Sequence, residues 1–177
     1  MNFIELVKKR QSDRHYLDKP VEKEKINRCL EAARLAPSAT NSQPWEFIVV
    51  SDDSKRRAVA NALISPTIQF NKFAASAPVL VVVNSWRPKL SVSIAGILKN
   101  KQFNLIDTGI ASEHFCLQAA EEGLGTCMLG WFNEKKIKNI LSIKAPKRPY
   151  LVISLGYPAR PARTKKRRPL DKIAKHI

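Results

Sequence analysis

Apolar positions recur at helical spacing in two stretches near the start of the chain. Residues from Asn2 to about Gln11 and from Lys23 to Ala36 read as helices, the second placing Ile26, Leu30 and Ala33 on one face. Pro37 ends it, because proline disfavours helical geometry in the residue before it. Glu46 to Ser51 reads as a short buried strand and Ser54 to Leu63 as a basic surface helix. The continuous apolar run around Val79 to Asn84 predicts a strand buried on both faces. Ile106 to Glu122 is the clearest helix, with Ile106, Ile110, Leu117 and Ala120 near one stripe and Gly123 as its C-terminal stop. It is apolar around much of its circumference, which places it centrally. A further helix is expected from Asn133, a candidate N-cap, to Leu141, and a last core strand from Tyr150 to Leu155. The segment from Trp86 to Phe103 has weak periodicity. Beyond Gly156-Tyr157-Pro158 the chain becomes a basic, proline-containing tail ending in an amphipathic piece, Leu170 to Ile177. Strands separated by helices predict a mixed α/β or α+β sheet with helices packed over it.

A chain of 177 residues suits one domain, here 1–177 with 157–177 as an extended basic arm. Hydrophobic residues at 44% and only 6 Gly and 11 Pro exclude a disordered or fibrous chain. Charge is what changes the picture: 31 Lys and Arg against 15 Asp and Glu leave +16. Such an excess attracts polyanions, whether nucleic acid, an anionic membrane surface or a phosphate-bearing cofactor. Cys29, Cys116 and Cys127 match neither a zinc-ligand pair nor a redox Cys-x-x-Cys, and read as buried free thiols of a reducing compartment. No apolar run follows a basic start at the N-terminus, and the longest apolar run, Ala77 to Val83, is far short of the roughly 20 residues that cross a bilayer. A cytoplasmic protein without membrane contact is the expectation.

Three polar or basic clusters stand apart along the chain. In Arg10-Gln11-Ser12-Asp13-Arg14, the two arginines would project from one side if the first helix continued, and with the hydroxyl would clamp a phosphate. The same residues also suit a solvated basic turn. In the run from Pro37 to Trp45, prolines fix the backbone while Ser38, Asn41 and Gln43 offer short donors and acceptors to a planar ligand edge, or form a plain connecting loop. The tail holds six basic residues between Ala159 and Arg168, a solvated tail or an anion-binding arm. No Walker loop or Gly-x-Gly-x-x-Gly is present, and His15, His114 and His176 form no metal-ligand or nucleophile pattern. An enzyme so poor in acids, bases and nucleophiles would have to borrow its chemistry from a cofactor.

Four motifs, in order, resemble the FMN-dependent nitroreductase family over nearly the whole chain. They are Arg10-x-Ser12-x-Arg14 with Tyr16, the loop Pro37 to Phe47, the run Gly123 to Phe132, and the ending Gly156-Tyr157-Pro158 with Arg167 to Asp171. The resemblance, to the family's shorter branch, implies an α+β three-layer sandwich: a mixed, mainly antiparallel sheet with helices on both faces. It also implies an intertwined homodimer that exchanges its C-terminal arm and builds two FMN sites from both subunits. By similarity, Arg10, Ser12 and Arg14 hold the phosphate and the pyrimidine side of the flavin, with Gln11 lending backbone contacts. Pro37, Ser38, Ala39 and Asn41 would come from the partner, and Gly130, flanked by Leu129 and Trp131, would present its N–H to flavin N5. Lys165 and Arg167 would close over the phosphate. The implied activity passes electrons from NADH or NADPH through FMN to a small electron-poor acceptor such as a nitroaromatic or quinone, by a ping-pong mechanism. The family often has Trp where Met128 stands, which suggests a more pliable wall beside N5. Substrate-pocket residues are expected in 63–73 and 86–103, and the +16 charge exceeds what two phosphates need.

Two readings of other classes compete. A basic nucleic-acid-binding module fits the charge and the tail, although the aromatics are not interleaved with the basic residues. A flavin-binding protein without turnover would be yellow yet leave NADH and NADPH unoxidised.

Overall fold

The computed structural model describes residues 1–65, 71–86 and 101–177. Its helices are α1 (Phe3–Lys9), α2 (Lys23–Arg34), α3 (Asp53–Ala62), α4 (Phe103–Glu121) and α5 (Glu134–Leu141). Its strands are β1 (Trp45–Val50), β2 (Val79–Ser85), β3 (Gly125–Leu129) and β4 (Arg148–Gly156). Local chemistry sets the ends. Asn2 and Glu5 form a capping box on α1, and the Asn133 side chain accepts from Lys136 N at the start of α5. At the end of α4 Gly123 takes φ +76°, which only glycine adopts at little cost, and Leu124 N–H returns to Ala119 O at 2.8 Å.

The strands form one sheet in the order β1-β2-β4-β3, every pair antiparallel. The parallel component expected of a mixed sheet is, among the described residues, a single bridge between Ser12 and Thr126. Period-two alternation splits the strands between two layers. Leu80, Val82, Cys127, Leu129 and Val152 face α3 and α5, meeting Val59, Ala60, Ala62 and Ile137. Val79, Val81, Val83, Ile153 and Leu155 face α2 and α4, meeting Ile26, Cys29, Ala33, Phe115 and Ala119. β2 is therefore buried along its whole length, as its apolar run predicts. The result is the α+β three-layer sandwich with helices on both faces.

Three expectations need correction. Helix α1 stops at Lys9, and Arg10 leaves it with φ −59° and ψ 124°, so Arg10 and Arg14 lie on extended chain beside β3 rather than on one helix face. In α4 the stripe is turned: Ile106 is 53% exposed, while Asn104, Asp107, Thr108 and Ser112 are buried. Thr108 and Ser112 are satisfied locally, Thr108 Oγ1 donating to Asn104 O at 2.6 Å and Ser112 Oγ to Thr108 O at 2.7 Å, whereas Asn104 and Asp107 bond Ser85 and Ala39. Of the amphipathic piece at 170–177, only the turn Leu170–Lys172 forms, with Leu170 and Ile173 exposed.

Candidate functional site

The extended chain after α1 is a structural seam. Asp13 N–H donates to Thr126 O at 2.8 Å, and the Tyr16 hydroxyl is buried between Asp13 O and Ser154 Oγ, 2.7 Å from each. Burial drives the Tyr16 phenol well above its ordinary pKa, so it stays a neutral anchor. Alternation along this segment sends Arg10, Ser12 and Arg14 one way and Gln11 and Asp13 the other. Ser12 lies beside the Cys127 thiol, and the Arg14 guanidinium sits 5.8 Å from the centre of the Phe73 ring.

The C-terminal arm returns to this segment. Leu17 N–H bonds Tyr157 O, Ala159 N–H bonds His15 O, and the Lys165 ammonium donates to Val7 O and Arg10 O. The structure thus brings Lys165 and Arg167 of the arm to Arg10, about 150 residues earlier in the sequence, as one basic cluster. Burial, and then the charges of Arg10 and Arg167, push the Lys165 ammonium below its ordinary pKa. The Arg10 Nε is ion-paired with Glu113 Oε1 at 3.1 Å and, among the described residues, has no hydrogen-bond partner. Three cations crowded against one carboxylate, Glu113, leave an excess of positive charge, which is the chemistry of an anion site, and a phosphate monoester fits it.

At the end of β3, Leu129 is buried while Gly130 and Trp131 are exposed. Among the described residues a Cβ added to Gly130 would meet nothing within 4 Å, so the space against its backbone is open to a planar ring. Asn71, not singled out from the sequence, ties Leu63 O and Trp131 O together and holds this turn. Met128 packs instead into the α2/α4 layer, so the expected pliable wall beside Gly130 is not where Met128 sits.

The loop from Pro37 to Pro44 does not join the cluster. It is held to α4 by Ala39 N–H donating to Asp107 Oδ2 at 3.2 Å, and internally by Gln43 N–H on Ser38 Oγ at 3.0 Å. The Gln43 amide closes on Asn41, and Thr40, Asn41 and Gln43 all take positive φ. Pro37 and Asn41 are exposed. Asp107 is the anchor of this loop, a contact that periodicity missed. The expected substrate-pocket stretch falls largely on 66–70 and 87–100, outside the described residues. Cys29, Cys116 and Cys127 are all buried free thiols, and burial pushes Cys29 and Cys116 up to about 12, which leaves them unreactive. Among the described residues, no helix is long and apolar enough to cross a membrane.

A profile of the nitroreductase family matches residues 7–157. The chain belongs to the nitroreductase family. This nitroreductase-family chain is 32% identical over 190 residues to the oxygen-insensitive NADPH nitroreductase of Helicobacter acinonychis, covering 89% of this chain and 86% of that one. Among solved structures, a nitroreductase family protein from Clostridium novyi NT superposes with a TM-score of 0.79 at 35% identity, covering 89% of this chain and 86% of that one. An FMN-dependent nitroreductase from Clostridium difficile R20291 superposes with a TM-score of 0.79 at 31% identity, covering 99% and 98%. The matched span contains the first three motifs, Arg10, Ser12 and Arg14 among them, and ends at Tyr157, within the fourth.

Proposed function

We propose that this protein is an FMN-dependent oxidoreductase that uses NADH or NADPH to reduce nitroaromatic, quinone or similar electron-poor acceptors. What supports it most is the gathering of the cations Arg10, Lys165 and Arg167 beside a strand that ends at the open Gly130. Arg10, Lys165 and Arg167 would hold the phosphate, Ser12 adding a hydroxyl. Arg14 would supply a permanent charge that favours the electron-rich form of the bound ring and raises its potential. Gly130 would offer its N–H to N5 of the ring, with Leu129 and Trp131 shaping that edge. When bound, the flavin supplies the hydride chemistry, taking two electrons from the nicotinamide and passing them to the acceptor.

The function includes a homodimer. Loop 37–44 is turned onto Asp107, away from its own chain's basic cluster, which suits delivery of Pro37, Ser38, Ala39 and Asn41 to a partner's flavin. Phe3, Ile4, Ile106, Leu170 and Ile173 are exposed and offer apolar surface to a second subunit. Up to Lys165 the arm lies on its own subunit, so any exchange begins beyond it. The buried thiols suit a reducing, cytoplasmic setting.

Donor and acceptor would use one pocket in turn. Initial rates with NADPH or NADH against a nitroaromatic or a quinone should therefore give parallel double-reciprocal lines. Intersecting lines would reject the shared pocket, and the absence of flavin-dependent turnover would reject the enzyme.

A further inference from the structure

Resting on that function, the structure assigns Arg163 a part that the family motifs leave out. We propose that Arg163 is a positioning residue that latches the arm onto the Gln11–Ser12 turn and so delivers Lys165 to the flavin phosphate. The latch has two hydrogen bonds at one residue. Arg163 N–H donates to Gln11 Oε1 at 3.0 Å, and Arg163 Nη2 donates to Ser12 O at 3.0 Å. Backbone and side chain of one arm residue thereby hold two successive residues of the phosphate-binding turn.

The receiving end is itself fixed. Gln11 Nε2 donates to Asp13 Oδ1 at 2.8 Å, which decides the orientation of the amide and turns its oxygen toward Arg163. Asp13 is seated in turn, since its Oδ2 is so close to Gly125 that an added Cβ there would lie 2.6 Å away. Its backbone N–H is bonded to β3, so the chain Gly125, Asp13, Gln11, Arg163 runs from the sheet to the arm. Burial raises the Asp13 carboxyl above its ordinary pKa while Arg163 and Arg10 act against that rise. Two residues past Arg163, Lys165 reaches Val7 O and Arg10 O. Extended chain spans about 7 Å over two residues, so a fixed Arg163 restricts Lys165 to the neighbourhood of Arg10. The arm around the latch is otherwise exposed and carries a cost in conformational entropy when it is ordered. Arg163 lowers the share of that cost falling on phosphate binding.

The test is the FMN dissociation constant of the full chain, measured by flavin fluorescence at several salt concentrations. The set is the wild type, Arg163→Ala, Gln11→Ala, Lys165→Ala and the two double variants with Lys165→Ala. Arg163 is exposed, Gln11 and Lys165 are half-buried, and none of them belongs to either core layer, so these changes leave the core untouched. Arg163→Ala and Gln11→Ala should each raise the Kd roughly threefold to tenfold. Each should also flatten its salt dependence, although Gln11 carries no charge. In the Lys165→Ala background neither should add a further loss, because both act through Lys165. Additive losses, or a Gln11→Ala protein with wild-type affinity and salt dependence, would overturn the latch. Failure of the wild type to bind FMN would instead overturn the proposed function, so the two failures are distinguishable.

Discussion

Replacing Arg10 and Arg167 together by alanine should strip the protein of flavin while leaving it folded. Each charged hydrogen bond to a phosphate contributes about 1.5–3 kcal/mol, so losing two raises the FMN Kd by roughly 10²- to 10⁴-fold. Folding should survive for reasons visible in the structure. Arg167 is exposed and, among the described residues, bonds only its neighbour's carbonyl, Lys166 O. The acid that faces Arg10, Glu113, has 39% of its side chain exposed, so water can take over from the guanidinium. The check is the flavin-to-protein absorbance ratio after gel filtration, beside the thermal midpoint without cofactor. Unchanged flavin content would remove these two residues from the phosphate site.

The largest loss of stability should come from Phe115→Ala. Phe115 is fully buried between α4 and the sheet and stacks on Phe47 with centroids 5.8 Å apart and planes at 12°. Truncating such a ring removes its burial and leaves a cavity, at a cost of about 3–5 kcal/mol. Against a typical total of about 5–15 kcal/mol this is a large fraction. For a chain of this size it corresponds to a fall in Tm of roughly 6–20 °C. Urea unfolding should show a lower midpoint with the slope unchanged, and a loss below about 1 kcal/mol would mean that the layer between α2, α4 and the sheet repacks freely.

Elements with a local physical cause were legible in the sequence. The apolar run of β2, the Gly123 stop and the Asn133 cap depend on burial, left-handed φ and one hydrogen bond, all of which are written in neighbouring residues. Features decided by tertiary contacts were not. Arg10 and Arg14 read as a helical pair because helical spacing was the nearest local rule, whereas Thr126 pulls that segment into extended pairing with β3. Ile106 read as core because apolar residues usually are, but α4 buries Thr108 and Ser112 by bonding them to its own carbonyls, and that compensation leaves no mark in periodicity. The same holds at the site. The residues of the basic cluster came from motifs, whereas their convergence through the arm, the Asp107 anchor of loop 37–44 and the Asn71 brace under Trp131 come from the fold.

A flavin at this basic cluster serving nicotinamide-driven reduction would show itself in the visible absorption spectrum of the purified protein. The spectrum would be taken before and after adding NADPH or NADH without oxygen. The expected result is the spectrum of bound oxidised flavin, which bleaches on addition of the nicotinamide. A colourless protein that fails to take up added FMN, and binds DNA in a salt-sensitive manner instead, would contradict it.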